Sequence, residues 1–328
     1  MMRKKGRDLM ARFGRVTSAL AVALCAALLP AAAAQAETTS AKTYNIWQWN
    51  VGGSTIHGGK SDTGMVDGAV ASIVNRNADF VAFNELCKGQ WDTLVTKLRA
   101  AGWPADSTNF ARFEPSIASG TGVCGGAAFG NAIFSKRPLG TADRIALPDD
   151  PSSEQRNMLC APLRDDSTTR FCTTHIAAIN TDKGVTNEHK LQQLAAVQVQ
   201  LDSWVGQGQT VMIAGDFNAQ PHYSSLDTYY SSSLNVANLN TSNRGSFREL
   251  DDNDSSNCLG YGEWTADNPK ALAPAACGGM QKIDLIFVSE ASLAGPGSYS
   301  ADSLAIAENC DSGKCSDHRI LTGTVNLK

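Results

Sequence analysis

The chain has 328 residues, of which 42% are hydrophobic and 18% charged, with a formal net charge of −4. Beyond the first 36 residues no long apolar segment occurs, which excludes a polytopic membrane protein. The acidic balance excludes attraction of a polyanion by the overall field of the protein, so a phosphate-containing substrate would need a local cation, which points to a metal ion.

Residues 1–36 are predicted to be a signal peptide. Six basic residues precede an alanine- and leucine-rich stretch over 19–33, and Ala34-Gln35-Ala36 has the small-x-small form of a cleavage site. The apolar stretch is too short and too rich in alanine for a membrane anchor. We therefore expect a secreted, extracellular protein that begins near Glu37. Cleavage would leave 22 basic and 31 acidic residues, and a net charge of −9.

Eight of the nine cysteines follow the predicted signal peptide. An even number of cysteines in an exported chain predicts disulfide bonds. Cys160 and Cys172 lie symmetrically about a turn, and Cys310 and Cys315 flank a short loop. The remaining candidates are Cys258 with Cys277 and Cys87 with Cys124, although sequence alone leaves the connectivity open. Zinc binding is disfavoured because no two cysteines have C-x-x-C spacing.

The first third of the chain predicts alternating strands and helices. Tyr44 to Asn50 and residues 80–83 are predicted strands, and residues 63–75 and 90–101 are predicted helices. The residues of the first helix expected to face inward are Met65, Val66, Ala69, Ile73 and Val74. The middle of the chain predicts short antiparallel strands over 128–135, 157–162 and 170–177.

The second half predicts a long helix, further strands and one long loop region. The helix covers residues 187–204, with Leu191, Leu194, Ala195, Gln198 and Leu201 on its buried face. A strand is predicted over 211–215, a short helix over 223–230, a strand over 281–289 and a final strand ending at Val325. Residues 231–280 are predicted to be a loop region that shapes substrate access. No repeat or linker divides the chain, and two packed sheets flanked by helices would account for the pattern.

Polar residues recur where predicted strands end: Asn50, Glu85, His175, Asp216, Asn218, Asp284, Asp317 and His318. Asp216 and Asn218 are two apart, so in an extended chain they face the same side. Each has a structural alternative, such as an Asx-turn at Asp216, a helix cap at Glu85 or a core histidine at His175. Asp284 interrupts an apolar strand, where a carboxylate needs a partner to offset its desolvation.

Six motifs carry a family resemblance: Trp49-Asn50, Asn84-Glu85, Thr174-His175, Gly215-Asp216-Phe217-Asn218, Ile283-Asp284 and Ser316-Asp317-His318. In their order and their placement at strand ends, the sequence resembles the endonuclease/exonuclease/phosphatase superfamily, the fold of deoxyribonuclease I, exonuclease III and neutral sphingomyelinase. The resemblance covers essentially the whole mature chain. It implies an α+β fold, a four-layer α/β/β/α sandwich of two packed mixed β-sheets flanked by helices. It also implies that residues 37–328 form one catalytic domain of a metal-dependent phosphoric ester hydrolase.

The resemblance implies a metal site at Glu85. Asn50 and Asp317 would assist Glu85 in binding a divalent cation. A site lined by hard oxygen ligands suits Mg²⁺ or Mn²⁺, with Ca²⁺ as a third candidate.

The resemblance also implies roles for the remaining motif residues. His318 would be the general base that activates water, with its tautomer held by Asp284. Asp216 and Asn218 would orient the nucleophile and the phosphate. His175 would donate a hydrogen bond to the phosphate or protonate the leaving oxygen.

Arg156 lies where family members often keep an arginine that contacts phosphate, although a solvated arginine on a hairpin is an equal alternative. The leading hypothesis is a secreted nuclease that acts on DNA or RNA as a monomer, without stable insertion into a membrane. The sequence shows no basic patch, so binding should be weak, salt-sensitive and largely independent of base sequence.

Three alternatives stay open. The first is a sphingomyelinase-type phospholipase C, for which the aromatic residues Tyr229, Tyr230, Tyr261 and Trp264 could form a lipid-facing surface. The second is a phosphomonoesterase acting on a sugar phosphate or nucleotide. The third is a catalytically inactive binding module, which is disfavoured because the motif residues of the site are all present.

Overall fold

The computed structural model describes residues 41–103, 109–237, 239–254, 258–268 and 274–328. The predicted signal peptide, residues 1–36, lies outside them. The strands are β1 Lys42–Asn50, β2 Phe80–Cys87, β3 Ala111–Ile117, β4 Phe129–Ser135, β5 Asp143–Ala146, β6 Asn157–Pro162, β7 Thr169–His175, β8 Thr210–Asp216, β9 Phe247–Glu249, β10 Asp284–Ser289, β11 Tyr299–Ser303 and β12 Leu321–Leu327. The α-helices are α1 Met65–Asn75, α2 Lys88–Ala100 and α3 Asn187–Gly206.

The strands form two mixed six-stranded sheets. One has the order β11-β12-β1-β2-β4-β3 and the other β5-β6-β7-β8-β10-β9. Strands β1 and β2 are parallel, as are β7 and β8, and the other neighbours are antiparallel. Apolar side chains from the facing sides of both sheets, including Phe80, Phe171 and Ile286, pack together in one cluster. Burying these side chains between the sheets supplies the main driving force for the packing.

Helices cover the outer face of each sheet. Helices α1 and α2 pack against the first sheet in a cluster that includes Trp47 and Phe83. Helix α3 packs against the second sheet in a cluster that includes Phe217 and Phe287. The result is an α+β sandwich with layers in the order α/β/β/α, which confirms the predicted fold class.

All four candidate disulfides are present in the structure. The bonded pairs are Cys87–Cys124, Cys160–Cys172, Cys258–Cys277 and Cys310–Cys315. The last of these closes the loop directly before Ser316-Asp317-His318. Such a set of disulfides is compatible with an extracellular protein. Within the described residues, each helix is too short or too polar to cross a lipid bilayer.

Two predicted helix faces need correction. Val74, predicted to face inward, is 45% exposed. On α3, Leu191 is 41% exposed and Ala195 is also exposed, because the buried face is rotated by about one position. That face consists of Lys190, Gln193, Leu194, Val197, Leu201 and Trp204. The prediction followed the apolar residues, whereas two positions on the buried face are polar.

Residues 223–230 do not form the predicted α-helix. The segment holds a single 3₁₀ turn, Ser224–Leu226, and then runs on to Tyr229 and Tyr230. Both tyrosines are fully buried against α3 and the second sheet.

Candidate active site

The strand ends bring the predicted polar residues together at one end of the sandwich. Asn50 pairs with Asn84 across β1 and β2, while His175 and Asp284 both pair with Asp216 across β7, β8 and β10. The Asn50 side chain joins the two sheets, because its Nδ2 donates to Glu85 Oε1 and to Asp216 Oδ2, each at 3.0 Å. Glu85, His175 and Asp216 line a cleft of about 580 Å³.

His318 and Asp284 form a buried imidazole–carboxylate pair. His318 Nδ1 lies 2.7 Å from Asp284 Oδ2. The other carboxylate oxygen of Asp284 accepts from Gln48 Nε2 at 3.0 Å, so this fully buried acid is satisfied on both sides. His318 Nε2 then faces the cleft, 3.9 Å from Asp216 Oδ2. An imidazole held through Nδ1 in this way is oriented to exchange a proton through Nε2.

His175 lies on the other side of Asp216, and its Nδ1 has a carboxylate nearby but no hydrogen-bond partner among the described residues. Its Nδ1 lies 3.6 Å from Glu154 Oε1, and its Nε2 lies 3.5 Å from Asp216 Oδ2 and 4.0 Å from Glu85 Oε1. The cleft therefore has two imidazoles that flank one aspartate, each with a carboxylate behind it. No sequence motif marks Glu154, because it lies in the irregular segment between β5 and β6.

The two histidines have opposite pKa shifts. Burial, together with the nearby Arg156 and His318, holds the pKa of His175 well below its usual range. Burial also lowers the pKa of His318, but the carboxylates of Asp284 and Asp216 outweigh it and raise that pKa to about 10. Burial, reinforced by the charge of Asp284, raises the pKa of Asp216 to about 7. At neutral pH the free protein therefore holds a neutral His175 beside a protonated His318.

Replacing Asp284 with asparagine is expected to lower the pKa of His318 by several units in metal-free protein, because burial then acts with less opposition. The raised pKa also contributes stability, which is fully present below the ordinary value of 6.5 and is lost as pH rises through about 10. The stability difference between wild type and Asp284→Asn should therefore shrink across that interval. An NMR titration of the histidine ring protons in EDTA, with melting temperatures at each pH, tests both effects. A wild-type His318 that titrates near 6.5 would contradict the pairing.

Arg156 lies in the same cleft with unused donors. Its side chain is only 11% exposed, and Nη1 is 2.9 Å from Glu154 Oε1. Nevertheless, Nε and Nη1 have no hydrogen-bond acceptor in satisfactory geometry among the described residues. The alternative of a solvated hairpin arginine is therefore wrong. Buried guanidinium donors without acceptors suit an anionic ligand.

Asn218 and Asp317 line the cleft from two loops. Asn218 has a left-handed backbone with φ of +46°. Its N–H donates to Asp216 Oδ1 at 2.9 Å, and its Nδ2 donates to Ile176 O at 2.8 Å. Asp317 is exposed next to His318, at the rim of the cleft.

A row of buried amides underlies the site. Gln48 donates to Asn84 Oδ1 as well as to Asp284, and Asn84 Nδ2 donates to Asn131 Oδ1. Asn131 Nδ2 donates in turn to Asn157 Oδ1, directly after Arg156 in the chain. The row thus connects Asp284, which holds His318, to the start of β6, directly after Arg156. In the sequence, this row is indicated only by single polar residues within otherwise apolar strands.

The residues around Glu85 fit a hard divalent cation. A bulge between Phe83 and Leu86 and a φ of +56° turn Glu85 out of β2, with its carboxylate 25% exposed in the cleft. The neighbouring groups, Asp216, Asn50 and Asp317 at the rim, all offer oxygen atoms. Of these, Asn50 Oδ1 accepts one hydrogen bond, from Gly52 N at 3.2 Å.

Asp216, Asp284 and His318 also have donor atoms within 4.8 Å of one another. However, both oxygens of Asp284 already accept hydrogen bonds and the residue is fully buried. Asp284 is therefore already satisfied without a metal ion.

The four-layer sandwich, together with the family match given next, places the protein in the class of phosphoric ester hydrolases. The sequence matches the Endonuclease/Exonuclease/phosphatase family over residues 47–318, and the chain belongs to this family. Enzymes of the family depend on a divalent metal ion. No curated protein sequence matches the chain.

Solved structures with this fold share little sequence with the chain. The human Nocturnin catalytic domain with bound sulfate is 17% identical with a TM-score of 0.60, and the match covers 87% of this chain and 94% of that one. D. rerio TDP2 complexed with a single strand DNA product is 18% identical with a TM-score of 0.55, covering 87% and 99%. An endonuclease/exonuclease/phosphatase from Beutenbergia cavernae is 16% identical with a TM-score of 0.54, covering 87% and 72%.

Proposed function

We propose that the protein is a secreted, metal-dependent phosphodiesterase that hydrolyses DNA or RNA as a monomer, without stable membrane insertion. The observation that carries this proposal is the pair of imidazoles on either side of Asp216, each with a carboxylate behind it. One imidazole can accept a proton from water while the other donates to the phosphate or the leaving oxygen. That division of roles is what hydrolysis of a phosphodiester requires.

His318 is the proposed general base. Asp284 fixes its Nδ1, so Nε2 is the atom that takes the proton from the attacking water. Because the pKa of free His318 is about 10, the base form is a minority at neutral pH unless positive charge is added nearby. Glu85, Asn50 and Asp317 would hold a divalent cation, Mg²⁺, Mn²⁺ or Ca²⁺, whose charge stabilises the phosphoryl oxygens and opposes protonation of His318.

The other cleft residues are proposed to bind and orient the phosphate. Arg156 offers its free donors to a non-bridging oxygen, and Asn218 orients the phosphate beside Asp216. His175, which is neutral, donates a hydrogen bond to the phosphate from Nε2, with Glu154 behind its Nδ1. Asp216, central between both imidazoles, orients the nucleophile.

Nucleic acid is the proposed substrate on two grounds. A structure of D. rerio TDP2, which shares the fold, holds a single strand DNA product. In addition, Tyr229, Tyr230 and Tyr261 are fully buried, and Trp264 is half-buried under Arg319, so the four aromatic residues do not form the lipid-facing surface that a sphingomyelinase-type enzyme needs. Among the described residues that line the cleft, Arg156 is the only arginine and Lys183 the only lysine. We therefore expect weak, salt-sensitive binding that does not depend on base sequence.

Export is proposed from the predicted signal peptide over residues 1–36 and from the four disulfides, which persist in an oxidising compartment.

A substrate panel tests the proposed function. Protein secreted by its host and purified with its disulfides intact is incubated with plasmid DNA, RNA, sphingomyelin and nitrophenyl phosphates, in Mg²⁺ and in EDTA. We expect cleavage of DNA or RNA in Mg²⁺ and none in EDTA. Release of phosphocholine with intact nucleic acid would refute the proposed substrate, and full activity in EDTA would refute the metal dependence.

A further inference from the structure

We propose that Lys190 is a positioning residue for Asn218, an inference that rests on the proposed role of Asn218 in phosphate binding. Lys190 lies in the first turn of α3 and is only 4% exposed. Its Nζ donates to the backbone carbonyl of Asn218 at 3.3 Å and lies 5.5 Å from the centroid of the Tyr223 ring. None of the motifs in the sequence includes it.

Lys190 occupies a position where a lysine is unfavourable for stability. A buried ammonium group is costly unless it is paired, and among the described residues no carboxylate forms an ion pair with it. Burial accordingly lowers its pKa. The positive end of the α3 dipole disfavours a cation as well. A methionine here would extend the apolar face formed by Leu194 and Val197. The lysine therefore weakens the packing of the helix.

What the lysine contributes is a third restraint on a left-handed turn. Asn218 is held at φ +46°, a region that asparagine enters more readily than most residues and that local hydrogen bonds hold in place. Two restraints come from Asp216 Oδ1 and Ile176 O, which accept from its N–H and side-chain amide. The Nζ of Lys190 fixes the opposite side of the residue by donating to its carbonyl. Together the three bonds keep Asn218 at the cleft beside Asp216.

The ammonium group also places positive charge behind the turn that meets the phosphate. The described lining of the cleft holds several carboxylates and only two lysine or arginine residues, Arg156 and Lys183. Lys190 acts through the position of Asn218, so its loss should affect the charged transition state more than binding of the ground state.

A double-mutant cycle tests this role kinetically. Lys190→Met is expected to lower kcat about ten- to hundredfold, the range for a hydrogen bond to a charged group, with KM within about threefold of wild type. In an Asn218→Ala background the same substitution should change kcat by less than about twofold, because the side chain that Lys190 is proposed to position is then absent. The melting temperature should be unchanged or higher. Leu191→Met, on the exposed side of the same turn, is the matched control and should retain wild-type kinetics.

The kinetic result that overturns the proposal is either wild-type kcat in Lys190→Met or an equal loss in both backgrounds. A fall in melting temperature that accounts for the lost activity would also overturn it, since the lysine would then be merely structural.

An NMR measurement decides the inference without relying on turnover. In protein labelled at asparagine, the backbone carbon shifts of Asn218 should report a left-handed residue in wild type and Leu191→Met, and should move toward right-handed values in Lys190→Met. Unchanged shifts in Lys190→Met refute the positioning role. If wild type hydrolyses no phosphoester at all, the proposed function fails, yet these shifts still decide whether Lys190 holds Asn218.

Discussion

Replacing His318 with glutamine is expected to lower kcat by about 10²- to 10⁴-fold, the range that general acid–base catalysis contributes. His318 presents Nε2 to the cleft while Nδ1 is held by Asp284 at 2.7 Å. A glutamine can still donate a hydrogen bond toward Asp284, so the buried carboxylate need not lose its partner, but it cannot take a proton from water. The measurement is kcat on the substrate cleaved in the panel, with the melting temperature of each variant.

The matched control is His189→Gln. His189 occupies the third position of α3, where its Nδ1 accepts from Thr186 N at 3.1 Å in a capping box. Glutamine is itself a favoured residue at that position, so the fold should be preserved. We expect wild-type kcat for this control. A folded His318→Gln variant with kcat near wild type would remove His318 from the reaction.

Replacing Glu85 with glutamine is expected to lower activity at fixed Mg²⁺ by about 10³-fold, equivalent to about 4 kcal/mol in the barrier. The substitution keeps the size of the side chain and its hydrogen-bonding capacity toward Asn50 but removes the charge that attracts the cation. Activity measured against Mg²⁺ concentration should recover in part at high Mg²⁺ if the main loss is affinity. The control is Glu188→Gln on the exposed surface of α3, which should show the wild-type Mg²⁺ dependence. An unchanged Mg²⁺ dependence in Glu85→Gln would place the cation elsewhere.

The interior strands and the residues at their ends could be predicted from the sequence. Apolar runs mark strands buried on both faces, and Glu85, Asp216 and Asp284 stand out because they break or end such runs. Strand register then makes His175 and Asp284 neighbours of Asp216 without any further information from the sequence.

The strands that sequence analysis missed are those at the sheet edges: β3, β5, β9 and β11. An edge strand has one neighbour and is partly solvated, so it carries no continuous apolar run. In β5, for example, intermediate and exposed residues alternate over Asp143–Ala146. Its pattern therefore resembles that of a loop.

The polar residues that act through other residues could not be predicted either. Glu154 lies next to His175 because of the conformation of an irregular segment, and hydrophobic periodicity does not predict the conformation of such a segment. Lys190 and Gln193 lie on the buried face of α3. Because polar residues of a helix are normally predicted to face solvent, the sequence pattern predicts the wrong buried face for this helix. In the structure Gln193 Oε1 accepts from Ala177 N at 2.9 Å, and Lys190 donates to Asn218 O at 3.3 Å. Their burial is explained by contacts with distant loops.

The most direct test is a crystal structure of the wild-type protein soaked with Mn²⁺ and inorganic phosphate, with anomalous diffraction to locate the metal. We predict a single strong peak at bonding distance from the Glu85 carboxylate, about 2.0–2.2 Å, the usual range for such hard cations. Phosphate should lie beside it, within hydrogen-bond reach of Arg156 and His175, and the Mn²⁺ peak should be lost in Glu85→Gln. Mn²⁺ and phosphate bound away from the cleft that Glu85 and His318 share would contradict the account.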